Sequence, residues 1–106
     1  MSRLTKLISL AALLVAPSMA TAAEVNVVSW GGAYTESQKK GYGDPYQEMS
    51  GVQVNWIDYS GGLSEIKAQV ESGAITWDII DVYARDTIIG CDEGLFVEFD
   101  FDNDFP

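Results

Sequence analysis

A short β-branched segment that ends at a glycine pair constrains the fold of this chain more than any other feature. Val25, Val27 and Val28 favour a strand, because branching at Cβ stiffens a side chain and packs well on a pleated surface. The segment 29–32, Ser-Trp-Gly-Gly, then breaks the pattern, and its glycines accept the positive φ of a tight turn. We therefore predict a strand that ends near Trp30 and leads through a loop into a helix. An ordinary turn beside a core tryptophan would give the same pattern, so this motif alone assigns no function to Trp30.

Three later segments have the composition of strands. Val52–Asp58 alternates apolar and polar residues at its start and lies between glycine-containing turns. Trp77–Tyr83 is apolar enough to predict a central strand, and Leu95–Phe99 predicts a further short extended piece.

Two segments between these strands have helical spacing. Leu63, Ile66 and Val70 recur at i, i+3 and i+7 and predict an amphipathic helix that stops at Gly73. Ala84–Cys91 predicts a shorter helix. With the first strand and its helix, the order is strand, helix, strand, helix, strand, helix, which is typical of a parallel α/β sheet.

The helix after the first strand has less regular signals. Thr35 and Gln38 have the spacing of a capping box, which predicts a helix start at Thr35. Gly41 and Gly43 then weaken the helix, and Asp44-Pro45 predicts a restart with Asp44 as the cap.

Residues 1–23 have the features of a cleaved secretory signal. Arg3 and Lys6 precede an apolar run, Leu7–Ala16, of about ten residues, whereas a bilayer span needs roughly twenty. Cleavage is expected near Ala22 or Ala23. We therefore expect no membrane insertion, and a location in an extracytoplasmic space such as the periplasm.

Charge and composition exclude several functions. The net charge is −10, and removal of residues 1–23 would leave sixteen acidic and four basic residues. Such a surface repels nucleic acid and favours cationic partners, and the alternative, a solubilising surface charge, accounts for most of the sixteen acidic residues. The sequence contains no histidine, so histidine-dependent catalysis and histidine-ligated metals are excluded, and we predict neither an enzyme nor a cofactor.

Cys91 is the single cysteine of the sequence. Thiols in an oxidising compartment usually pair. Either Cys91 is buried and inert, or its partner lies in a segment that this chain lacks.

The predicted strand ends are the best candidates for a binding site. Ligands of open parallel sheets bind beyond the carboxyl ends of the strands. Each of the three ends carries an aromatic residue, and these are Trp30, Tyr59 and Tyr83. Together with Asp58 and Asp81 they suit an organic cation, whereas the Gly-Gly loops suit an anion, so a zwitterion would satisfy both. The alternative is structural: the aspartates cap loops and the tyrosines pack.

Four motifs in register resemble a known family. They are V-N-V-V-S-W-G-G-A-Y-T-E-S-Q, S-G-G-L-S-E-I-K-A-Q-V-E-S-G, T-W-D-I-I-D-V and G-C-D-E-G-L, behind a signal segment. In this order they resemble the extracytoplasmic solute-binding proteins of ABC transporters, in the spermidine/putrescine-binding branch. The resemblance implies a type II periplasmic-binding-protein fold, of which residues 24–100 would form part of the first lobe and residues 101–106 a truncated end.

The resemblance also implies a function and a set of site residues. By position, the ligand-lining residues would be Trp30, Gly31, Tyr59, Ser60 and Tyr83. The ligand would be a polyamine-like cation, delivered to a membrane ABC permease by the full-length protein, and Cys91 would pair with a later cysteine. The alternatives are an anionic or zwitterionic ligand on the same fold, and a secreted fragment without transport function.

Overall fold

The computed structural model describes residues 21–106, so the predicted signal segment lies, except for its last three residues, outside the described part. The strands are β1 (Glu24–Ser29), β2 (Gln53–Asp58) and β3 (Ile79–Ile80). The helices are α1 (Gly32–Gln38), α2 (Asp44–Ser50), α3 (Ser64–Ser72) and α4 (Ala84–Asp92), with a π-helical turn at Lys39–Gly43. The predicted alternation of strands and helices is confirmed.

The three strands form one parallel sheet in the order β2-β1-β3. Val27 lies opposite Trp56 of β2 and Ile79 of β3, so β1 is the central strand. The prediction that the third strand is central was wrong, because β3 is at the edge of this sheet and Ile79 is 55% exposed. Apolar composition indicates how much of a strand is buried. The order of the strands in the sheet depends instead on contacts between segments that are distant in sequence.

Alternate side chains of β1 pack on opposite faces of the sheet. Val28 is fully buried in a cluster with Ile66 of α3 and Trp77. Partly buried side chains surround this cluster, namely Ile57, Tyr59, Leu63, Ile80, Val82, Leu95 and Phe96. Val27 points to the other face, where the π-helical turn and α2 lie near Val25 and Trp56.

The helical segment after β1 differs from its prediction. It begins at Gly32 rather than at Thr35, and it continues through the π-helical turn to Ser50 instead of stopping and restarting. Asp44 does not cap α2, because the N-cap position is Gly43 and carries no side-chain hydrogen bond. A Cβ atom on Gly43 would lie 2.7 Å from Cζ2 of Trp56, so the missing side chain lets the helix approach this ring. Gly43 therefore serves close packing, whereas a Cβ atom on Gly41 would meet nothing within 4 Å.

The later helices follow their predictions, but the segment after them does not. α3 ends at Ser72 with Gly73 as its C-cap, and α4 covers the predicted Ala84–Cys91. Residues 95–99 form no strand, so the predicted short extended piece does not join the sheet. Cys91 is exposed, which overturns the alternative of a buried, inert thiol. None of the helices within residues 21–106 is both long and apolar enough to cross a bilayer.

Candidate functional site

Three aromatic rings meet at the carboxyl edge of the sheet. The ring centroid of Trp30 is 5.1 Å from that of Tyr59 and 4.8 Å from that of Tyr83, with interplanar angles of 22° and 29°. Both pairs are therefore stacked, at distances where aromatic pairs attract. We call these three residues the aromatic wall. Tyr83 is 58% exposed, whereas Trp30 and Tyr59 are half-buried, so Tyr83 offers the most ring surface to a ligand.

The parallel sheet explains why these residues meet. Each ring follows the end of a different strand, and the carboxyl ends of parallel strands lie at one edge. The main chain continues the pairing up to the wall, since the Tyr59 N–H donates to the Ser29 carbonyl at 2.9 Å. The Asp81 N–H likewise donates to the Val28 carbonyl at 3.0 Å. Strand pairing therefore holds the residues beside all three rings.

A buried polar cluster lies at the same strand ends. Ser29 Oγ is 2.5 Å from Gln38 Oε1 and 2.7 Å from Asp81 Oδ2, and Gln38 Nε2 donates to Asp81 Oδ2 at 2.6 Å. Ser29 is fully buried and Gln38 is nearly so. We call Ser29, Gln38 and Asp81 the polar triad. The capping-box interpretation of Thr35 and Gln38 was wrong, because the Gln38 amide points to this triad.

The hydroxyl of Tyr59 is also bound within the fold. It donates to the main-chain carbonyl of Asp81. Burial raises the pKa of Tyr59, and the negative charges of Asp81 and Asp86 raise it further. Tyr59 therefore contributes a neutral ring to the wall at neutral pH.

Gly31 and Ser60, the other two predicted site residues, lie in the loops beside the wall. Gly31 has φ +82°, as the glycine turn predicts, and its N–H donates to Thr35 Oγ1 at 2.9 Å. A Cβ atom on Gly31 would lie 3.0 Å from the Asp58 carboxyl group, so this exposed carboxylate covers the glycine. Ser60 is exposed next to Tyr59.

Sequence reasoning missed Asp86, which is 4% exposed in the first turn of α4. Its Oδ1 accepts a hydrogen bond from Arg85 Nε at 3.0 Å, while Oδ2 has no partner among the described residues. Nothing in the sequence around Asp86 distinguishes it from an exposed aspartate in the first turn of a helix. Its burial results from packing.

An apolar hollow of about 320 Å³ lies on the other side of the sheet from the Val28 cluster. Its lining consists of Val25, Val27, Tyr42, Gly43, Tyr46, Val54, Trp56, Ile79 and Asp81. None of the aromatic-wall rings lines it, so the hollow and the wall are separate features. Within residues 21–106, no group of three or more acidic or cysteine side chains is arranged to hold a metal ion.

Comparison with known proteins places this geometry in a functional context. No protein-family profile matches the chain. The chain is 34% identical to the PBP AgtB from A. tumefaciens R10, whose structure in complex with agropinic acid gives a TM-score of 0.70 over 78% of this chain and 26% of that one. The fold is that of periplasmic solute-binding proteins. An ABC transporter substrate-binding protein from Bradyrhizobium japonicum USDA 110 gives a TM-score of 0.72 at 32% identity, over 76% of this chain and 25% of that one.

A curated relative agrees with the structural neighbours. The chain is 36% identical over 85 residues to the gamma-aminobutyric acid-binding protein of Pseudomonas aeruginosa PAO1. This match covers 80% of the chain and 24% of the relative, so the chain spans about a quarter of the length of the proteins it matches. These relatives are binding proteins of transport systems rather than enzymes. They are named for gamma-aminobutyric acid and agropinic acid, so the comparisons support the wider class and not the polyamine branch.

Proposed function

We propose that this chain supplies one wall of the solute site of a periplasmic binding protein that serves an ABC importer. The observation that carries the proposal is the meeting of Trp30, Tyr59 and Tyr83 at the carboxyl edge of a parallel sheet. The relatives with this fold are solute-binding proteins, and the predicted signal segment fits a periplasmic location. In this proposal the wall captures a solute for delivery to a membrane permease, without chemical conversion.

The solute that suits this wall best is a small amino acid derivative with an ammonium and a carboxylate group. The exposed Tyr83 ring and the Asp58 carboxylate favour an ammonium group, since a ring quadrupole attracts a cation by about 0.5 to 2 kcal/mol. α4 begins directly after Tyr83, which makes no side-chain cap, so the first N–H groups of this helix are available to a carboxylate beside the same ring, and Asp86 is the one acidic residue in that turn that opposes it. Gamma-aminobutyric acid, for which the curated relative is named, has both groups.

A polyamine is the second candidate, because the resemblance of the motifs pointed to one and the chain is strongly acidic. Putrescine and gamma-aminobutyrate share a four-carbon skeleton with one terminal ammonium group. They differ at the other end, where putrescine has a second ammonium and gamma-aminobutyrate a carboxylate. Comparing the two therefore tests the charge preference at nearly constant size.

Isothermal titration of the folded chain with both compounds tests the proposal. We expect heat of binding with gamma-aminobutyrate, weaker heat with putrescine, and about a threefold to tenfold loss of affinity in Tyr83→Ala, from a lost ring contact worth roughly 0.7 to 1.4 kcal/mol. Tyr83→Phe keeps the ring and should bind nearly as the parent does.

Tyr46→Ala is the matched control, since Tyr46 is also a partly exposed tyrosine but lies on α2, away from the wall. Equal losses in Tyr83→Ala and Tyr46→Ala would contradict a role for the wall. Absence of heat with either compound at millimolar concentration would refute binding by this chain. Tighter binding of putrescine would replace the zwitterion with the polyamine.

A further inference from the structure

Each member of the aromatic wall either lies close to a residue of the polar triad in the chain or is hydrogen-bonded to one. Ser29 directly precedes Trp30, and its side chain contacts both Gln38 and Asp81. Asp81 lies two residues before Tyr83, and its carbonyl accepts the hydroxyl proton of Tyr59. From this geometry we infer that Ser29, Gln38 and Asp81 are positioning residues that hold the three rings in their stacked arrangement. The ligand-binding part of this inference rests on the proposed function.

The inference depends on how few ways the triad can satisfy its hydrogen bonds. Ser29 is fully buried, so its hydroxyl has no alternative partner in water. Gln38, at 8% exposure, must also find its partners inside the fold. Both groups converge on the single oxygen Asp81 Oδ2. A shift of the end of β1 or β3 would leave a buried polar group unpaired, which is costly, so the triad restricts the positions of these two strand ends relative to each other and to α1.

β3 is the element that most needs such a restraint. It contains only two residues in the ladder, Ile79 and Ile80, whereas β2 pairs with β1 over six residues. Tyr83 follows this short strand and is exposed, so strand pairing alone restrains it weakly. Asp81 anchors the same segment to β1 through its side chain and to Tyr59 through its carbonyl.

The chain contains a matched control for Asp81. Asp78 also lies next to β3 and also bonds to β1, since its Oδ2 accepts the Asn26 N–H at 2.7 Å. Asp78 is at the amino end of β3, and the wall is beyond the carboxyl end. Asp78→Asn and Asp81→Asn therefore weaken the same pairing of strands by the same chemical change, but only Asp81→Asn disturbs the triad.

The experiment compares the two variants and Ser29→Ala in the whole chain without ligand. The readout is NMR of the ring protons of Tyr83 and the indole of Trp30, assigned with Trp30→Phe. We expect Asp81→Asn and Ser29→Ala to lose the ring-current shifts of Tyr83 and the cross-relaxation between Tyr83 and Trp30. Asp78→Asn should keep both signals, although urea unfolding should show that it also loses some stability.

Each outcome decides the inference. Unchanged ring signals in Ser29→Ala and Asp81→Asn, or equal loss in Asp78→Asn, would overturn it. If Asp81→Asn does not fold, Ser29→Ala decides alone, because it removes only one oxygen atom. Titration with gamma-aminobutyrate should then show about a tenfold loss of affinity in Ser29→Ala, as expected for about 1.4 kcal/mol of lost preorganisation. If the parent chain binds no ligand, the proposed function fails, while the ring signals still test the positioning role.

Discussion

Gly61 is the position where a single methyl group tests the packing of the aromatic wall. Its φ is +92°, and a Cβ atom there would lie 2.8 Å from Cζ3 of Trp30 and 3.7 Å from Cε2 of Tyr83. Ordinary van der Waals contact begins at 3.4 Å, so in Gly61→Ala the Trp30 ring or the loop must move by more than half an ångström. The ring is stacked on two tyrosines and cannot move freely.

The neighbouring Gly62 separates the backbone cost from the packing cost. Its φ is +86°, but a Cβ atom there would meet nothing within 4 Å. Substitution by alanine at either position should lower the free energy of unfolding by roughly 1 to 2 kcal/mol, because a side chain disfavours positive φ. Gly61→Ala should lower the free energy of unfolding by about 1 to 3 kcal/mol more, which is the usual cost of overpacking. The difference between the two variants therefore measures the rigidity of the wall.

Urea unfolding followed by far-ultraviolet circular dichroism measures this difference. With a slope of about 1 kcal/mol per molar urea for a small domain, the midpoint of Gly61→Ala should be lower than that of Gly62→Ala by about 1 to 3 M. Near-ultraviolet circular dichroism should change only in Gly61→Ala, where the rings move. In a double-variant cycle, Trp30→Phe should recover part of the loss, since the smaller ring leaves room for the methyl group. Equal midpoints for the two alanine variants would refute a tightly packed wall.

Two further predictions concern pH and the core. Because burial and the charges of Asp81 and Asp86 raise the pKa of Tyr59, the folded chain retains this proton after the unfolded chain has lost it. The contribution of Tyr59 to the free energy of unfolding should therefore be constant below the unfolded tyrosine pKa of about 10 and be lost as the pH rises through the higher pKa of the folded chain. Urea unfolding at a series of alkaline pH values measures this loss. Midpoints that do not decrease would contradict the prediction. Gly90→Ala should destabilise the chain, because a Cβ atom on Gly90 would overlap the Phe96 ring. Overpacking costs up to about 3 kcal/mol, which outweighs the roughly 1 kcal/mol gained in helix propensity. A raised urea midpoint in that variant would show that the Phe96 ring moves aside easily.

Local patterns in the sequence were sufficient to predict most elements and the composition of the wall. The spacing of Leu63, Ile66 and Val70 predicts α3, because helical periodicity depends only on residues three to four positions apart. Trp30, Tyr59 and Tyr83 follow three predicted parallel strands, and the carboxyl ends of parallel strands share one edge. Their meeting therefore follows from strand order and direction, without knowledge of any side-chain contact.

The tertiary structure determined which strand is central and where the polar side chains point. Gln38 has the spacing of a cap, yet its amide bonds to Asp81, 43 residues later in the chain. Ser29 and Asp81 are 52 residues apart, and Asp86 is buried although its neighbours suggest an exposed helix start. Such contacts depend on the pairing of segments that are distant in sequence. Local propensity depends only on neighbouring residues, so it does not predict them. Trp30 is therefore predictable as a residue at a strand end, whereas the network that surrounds it becomes visible only in the folded chain.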